Sequence, residues 1–214
     1  MTRSSLRTIW LMMGICLSVI SGCAGKGEVR HLDLSVKQPA VHMPPTEPVK
    51  IVIEPFEDRR VEKGRIGQRT HLWGGVTNFN ITGERPGEFI AQALADRLRH
   101  RGWQDKPWNV SMVPAGSASD ADIVITGQIQ DFSANAKSRA FSTVINAKSK
   151  VTIQARNQGD KSTVTRSVEG AQTRTVFWFD EDDVQELLAA TLKDGIDRLV
   201  ADTMIEQKSM RPAR

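Results

Sequence analysis

Residues 141–179 read FSTVINAKSKVTIQARNQGDKSTVTRSVEGAQTRTVFWF, and the alternation in this stretch decides the fold. From Phe141 to Ala155 apolar and polar residues follow the period of two that a half-buried strand requires. Asn157-Gln158-Gly159-Asp160 supplies turn chemistry, and Ser162 to Phe179 follows as a second strand. Together they predict a long antiparallel hairpin, its register pinned by the turn and by the buried parity. Just upstream, Asp122 to Phe132 carries Ile123, Ile125, Gly127 and Ile129 on one parity, which is a further strand. Just downstream, Asp180 to about Lys208 is the strongest helical signal in the chain. Val184, Leu187, Leu188, Thr191, Leu192, Ile196, Leu199, Val200 and Met204 fall on one face. Asp180 is placed to cap this helix, and Glu181, Asp182 and Asp183 complement the positive end of its dipole.

Further upstream, Pro86 to Arg101 predicts a second helix, with Phe89, Ile90, Ala93, Leu94 and Leu98 on its apolar stripe. Gly102 sits where a left-handed C-terminal cap is expected. Val49 to Pro55 and Asn109 to Val113 read as short strands. Between them, Glu57 to Gly83 is a long polar stretch containing Gly64, Gly67, Gly74 and Gly75, and loops of this length are often functional. A short strand around Arg69 to Trp73 or Val76 to Ile81 is an alternative within it. The order of elements predicts an α+β two-layer sandwich, a mostly antiparallel sheet with two helices packed on one face. The other face is left solvated or open to a partner. Residues 49–208 form the single domain in this reading, and residues 209–214 a flexible tail that frays.

Arg3 and Arg7 are the only charges before an apolar run from Ile9 to Ile20, which is followed by Ser21, Gly22 and Cys23. That order, with a run too short for the roughly 20 residues of a membrane span, marks residues 1–22 as a cleaved signal peptide. Ile20-Ser21-Gly22-Cys23 resembles the lipobox of bacterial lipoproteins, which implies lipid attachment at Cys23. Each buried acyl methylene contributes about 0.8 kcal/mol, so two or three chains make a lasting anchor. Residues 23–48, with Pro39, Pro44, Pro45 and Pro48, read as a lipidated N-terminus and extended spacer. A docked edge strand around Leu32, Leu34 and Val36 is the other possibility. Cys16 falls in the discarded segment, so the mature chain has no second thiol for a disulfide, nucleophile or cysteine metal site. Removing Arg3 and Arg7 leaves 27 of the 29 basic residues against 25 acids, a net charge near +2. That diffuse charge argues against a nucleic-acid partner.

Catalytic signatures are missing from the sequence. His31, His42, His71 and His100 show no metal-ligand spacing, and the acids at 180–183 are explained by a helix start, so neither metal nor cofactor is expected. No His-Glu-x-x-His, Gly-x-Ser-x-Gly or Walker-type motif occurs, and the chain reads as non-enzymatic. The glycines from Gly64 to Gly75, with Arg65 and Arg69, could cradle an anion, although a turn-rich loop explains them without a ligand. Trp103, Trp108 and Trp178 read as packing or rim aromatics.

Ile51-Val-Ile-Glu-Pro-Phe-Glu-Asp-Arg-Arg60, then Ile66-Gly67, a helix from Phe89 to Gly102 and the strand Ala121-Asp-Ile-Val-Ile-Thr-Gly-Gln-Ile resemble the YajG-like lipoproteins of the bacterial envelope. Asp58, Arg59, Arg60, Ile66 and Gly67 carry the match, which spans about residues 49 to 205 and implies an α+β envelope lipoprotein without assigning an activity. Ala24 after Cys23 resembles the outer-membrane class of lipoproteins, facing the periplasm. The function expected is a membrane-anchored protein-interaction module in envelope assembly or transport, held by its N-terminal lipid and meeting an envelope protein partner. The alternative is a carrier or sensor for a lipid, glycan or other small ligand. The candidate interaction loop comprises Asp58, Arg59, Arg60, Arg65, Ile66, Gly67, Arg69 and Trp73, a mixture of Arg and aromatic residues among glycines that suits interface anchors.

Overall fold

The computed structural model describes residues 26–33, 48–83, 85–117 and 120–213. Residues 1–22, read from sequence as a signal, and Cys23 lie outside them. Eleven strands and two helices are described: β1 Lys26–Leu32, β2 Lys50–Ile53, β3 Glu57–Asp58, β4 Gly67–Thr70, β5 Val76–Ile81, α1 Pro86–Arg101, β6 Asn109–Met112, β7 Ile123–Ser138, β8 Thr143–Asn157, β9 Thr163–Val176, α2 Glu181–Ala201, β10 Thr203–Glu206 and β11 Ser209–Pro212. Trp103–Asp105 adds one 3-10 turn.

The predicted hairpin is present as β8 and β9, paired from Thr143↔Val176 to Arg156↔Thr163. Its first strand pairs equally fully with β7, from Ile123↔Asn157 to Ser138↔Thr143. A bulge between Ile129 and Asp131 inserts one residue in β7. Because side chains alternate with a period of two, the buried parity switches there from Ile123, Ile125 and Ile129 to Phe132, Ala134 and Ala136. The other edge of β7 is met in turn by β2, β3 and β4, all parallel to it.

The sheet is therefore mixed, a correction to the mostly antiparallel sheet expected. β2 and β6 are also parallel, joined through the α1 crossover, and β1 lies parallel to β5. Alternation in sequence is the same for both strand directions, so it does not report them.

Both helices contribute to one hydrophobic core. α1 buries Ile90, Ala91, Leu94, Ala95 and Leu98. α2 buries Val184, Leu187, Leu188, Thr191, Leu192, Ile196 and Leu199. Asp180 and Asp183 form a reciprocal capping box at its start. α2 comes very close to the sheet at Gly170, where an added Cβ would lie 2.4 Å from the Thr191 carbonyl oxygen. The helices meet at an ion pair, with Arg97 Nε 2.8 Å from Asp197 Oδ1.

Four further expectations are corrected. The stretch 57–83 is not one long loop: it holds β3 and the antiparallel pair β4–β5, and the alternative strand read at Val76 to Ile81 is β5. The spacer is not free throughout, and the docked edge strand given as its alternative is present in part: Lys26–Leu32 is an edge strand of the sheet and Leu32 is buried; Leu34 and Val36 lie outside the described residues. Gly102 has φ −91°, and the left-handed residues come next at Gln104 and Asp105. Finally, α2 stops at Ala201, and the chain turns through Gln207 and Lys208, at φ 46° and 61°, into the hairpin β10–β11. The expected frayed tail is thus a strand through Pro212, with Met210 buried. Asn157 holds it, its side chain donating to Met210 O at 3.0 Å and accepting from Met210 N at 2.8 Å.

Candidate functional site

The candidate loop residues separate into two groups. Arg60 is only 6% exposed. Its Nε and Nη2 donate to the two Asp58 carboxylate oxygens at 3.0 and 2.9 Å, and its Nη1 donates to the carbonyls of Arg65 and Phe132 at 3.1 and 3.2 Å. Partial burial pushes the Asp58 carboxyl up, but hydrogen bonds from Arg60 and its charge outweigh this and hold it below the ordinary value. Ile66 is in the core. Gly67 touches β7 so closely that a Cβ would stand 1.7 Å from the Ala134 carbonyl oxygen. Arg65 donates to Gln68 and Asn78, and the exposed Arg59 pairs with Glu57 at 2.9 Å. Residues 58–67 therefore clasp the first strands to β7.

Arg69 and Trp73 belong to a different place. The register puts Thr70 beside Lys137, Lys137 beside Val144 and Val144 beside Thr175, so β4, β7, β8 and β9 all reach one end of the sheet. Three connections emerge there: His71–Gly75, Arg139–Ser142 and Phe177–Phe179. In the first, Gly74 and Gly75 take φ 86°, and the His71 amide donates to the Gly75 carbonyl, which turns Leu72 and Trp73 outward. Trp73 and Trp178 are each 91% exposed, Phe141 86% and Phe177 83%. These loops surround an open depression of about 810 Å³. At its root the Arg69 guanidinium lies 4.0 Å above the Phe179 ring, which stacks on buried Phe79, and Arg69 Nε donates to Ser138 Oγ. Burial lowers the Arg69 pKa, and the nearby Glu181 charge partly opposes that. Asp58 and Arg60 do not share this surface; Arg60 lines a separate depression with Val61, Glu62 and Arg65.

Among the described residues no group of three or more His, Cys, Asp or Glu is placed to hold a metal. No described helix is long and apolar enough to cross a membrane.

A family model described as uncharacterized lipoprotein matches residues 81–208. The chain belongs to that lipoprotein family. It is accordingly a membrane-associated protein of the envelope class. No curated protein matches it. Solved structures similar to this lipoprotein include protein XCC0632 from Xanthomonas campestris, at 11% identity and TM-score 0.49, covering 82% of this chain and 91% of that one. PelC from Paraburkholderia phytofirmans is similar at 14% identity and TM-score 0.37, over 69% and 86% of the two chains. Lipoprotein GNA1162 from Neisseria meningitidis is similar at 9% and 0.35, over 68% and 96%.

Arg69 and Trp73 were within the loop expected from sequence, whereas Phe141 and Phe177 were missed and Trp178 was taken for a packing or rim aromatic. A signal was present: large aromatics stand in three turns, where connecting segments are ordinarily small and polar. Trp103 and Trp108 are packing residues, in an edge-to-face pair at 5.5 Å, with indole N–H groups donating to Thr203 Oγ1 and the Trp103 carbonyl.

Proposed function

We propose that this lipoprotein is a non-enzymatic interaction module of the bacterial envelope, of the YajG-like kind. In this reading it is anchored through lipid on Cys23 after removal of residues 1–22, faces the periplasm from the outer membrane, and serves envelope assembly or transport through its contact surfaces, including contact with an envelope protein. The observation that carries the proposal is the aromatic end. Solvent-exposed aromatics are ordinarily scattered, whereas here Trp73, Phe141, Phe177 and Trp178 are gathered round one depression. Aromatic anchors beside Arg are the composition of contact surfaces.

A photo-crosslinking residue in place of Phe141 in intact cells should give adducts with an envelope component, while one at Lys148 on the polar face of β8 should not. Equal labelling at the two positions would remove the basis for a dedicated docking end.

The carrier alternative finds support in an open groove of about 760 Å³ between α1 and the end of β6, where Phe89, Ala93 and Met112 offer apolar surface. Its test is lipid or glycan retained through purification and lost on Phe89→Asp.

A further inference from the structure

We infer that the aromatic end is a membrane-contact surface, seated in the headgroup region of the same bilayer that holds the Cys23 lipid. The inference rests on the docking reading of that end and on lipidation at Cys23, and it names the occupant.

The path of β1 points to the bilayer. Lys26, the first residue of β1, pairs with Val76, the residue after the Leu72–Gly75 tip, and Val76 pairs with Thr70. The row continues across the sheet through Lys137, Val144 and Thr175. The start of β1 is thus level with the roots of the three aromatic loops. Cys23 precedes Lys26 by three residues, a length that spans at most about 10 Å even when fully extended. β1 cannot slide to lengthen that tether, because it is registered against β5 as far as Leu32↔Ile81. The Thr82 amide and hydroxyl also donate to the Leu32 carbonyl. A lipid at Cys23 therefore pulls this end of the domain, and no other, against the bilayer.

The chemistry of the end suits that position. Trp and Phe have an affinity for the boundary between acyl chains and headgroups, with the indole N–H left in a wet layer. Arg139 is exposed in the loop that presents Phe141, where a guanidinium meets lipid phosphate. Five of the seven large apolar side chains exposed among the described residues are at this end: Leu72, Trp73, Phe141, Phe177 and Trp178. A protein partner would impose no relation between such a patch and the point where the anchor leaves, whereas a bilayer requires one.

The test uses the mature acylated protein in vesicles of phosphatidylethanolamine and phosphatidylglycerol, with and without bromine on the upper acyl carbons. Trp73 and Trp178 should lose emission in brominated vesicles. The buried pair Trp103 and Trp108, beyond the opposite end of β7, should not. Trp73→Phe with Trp178→Phe should abolish the quenching and leave the emission of the buried pair intact, which also reports the fold. Full emission from Trp73 and Trp178 in brominated vesicles overturns the membrane assignment. If in that case the crosslinker at position 141 captures one defined protein in cells, the docking reading survives with a protein as occupant. If it captures neither lipid nor protein, both readings fail.

Discussion

Arg60 places four hydrogen bonds from a nearly buried guanidinium, two to Asp58 and two to backbone carbonyls on either side of the β4–β7 junction. Removing one partner of such a pair typically costs about 3–5 kcal/mol, because the other charge is left unpaired. Arg60→Ala should lower unfolding free energy by an amount of that order in urea titration, whereas Trp73→Ala, at a side chain 91% exposed, should change it by no more than about 0.5 kcal/mol. The sign of the pH dependence is set by Asp58, whose folded pKa is depressed. Its contribution is present above the unfolded carboxylate value, near 4, and is lost as pH falls through the folded one. The stability deficit of Asp58→Asn, measured at neutral pH, should therefore shrink below about pH 4. Ile66 and Gly67 were legible in sequence as a motif, but their role was not. Only the approach of the Ala134 carbonyl explains why the position next to a core isoleucine must lack a Cβ.

At the scale of elements, α2 is structural, and its length is set by the β10–β11 hairpin at its C-terminal end. Leu188 and Leu192 are buried against the sheet, so each truncation to Ala should cost about 2–5 kcal/mol, read from thermal or chemical melts. Periodicity located this helix well but carried it on to about Lys208, because an apolar residue at helical spacing such as Met204 looks the same inside a strand. Glu206-Gln207-Lys208-Ser209 contains none of the Gly or Asn that usually mark a two-residue turn, and so gave no signal. The hairpin is recognised from afar instead, through buried Asn157 and through Asp160, which accepts from Ser162 and from Arg211. The Ser162 hydrogen bonds and then Arg211 pull the Asp160 carboxyl down to about 2. A depressed carboxylate stabilises above its unfolded pKa and ceases to do so as pH falls through the folded value. Hydrogen-exchange protection of the Met210 amide should accordingly decline between about pH 4 and about pH 2, and Asp160→Asn should remove that pH dependence.

For the whole molecule, the decisive event is the gathering of three short connections at one end of a curled sheet. Replacing Trp73, Phe141 and Trp178 together by Ala should leave the melting temperature nearly unchanged, because none of the three is in the core, while binding of an apolar fluorescent dye falls. An unaltered dye signal would mean that the exposed surface lies elsewhere. Much of this protein was determined by sequence alone. The alternation of residues 141–179, the apolar stripes of both helices and the acids at the start of α2 are local patterns, and local patterns arise from helix and strand periods. Strand direction, the bulge that reverses the buried parity of β7, and the docking of β1 were decided only in the tertiary structure. These depend on which edges are free when the core closes, and a period of two carries no record of that. The aromatic end belongs to the same class. Trp73, Phe141 and Trp178 are separated by 68 and 37 residues in the chain, and only the registers of β4, β7, β8 and β9 bring them onto one surface.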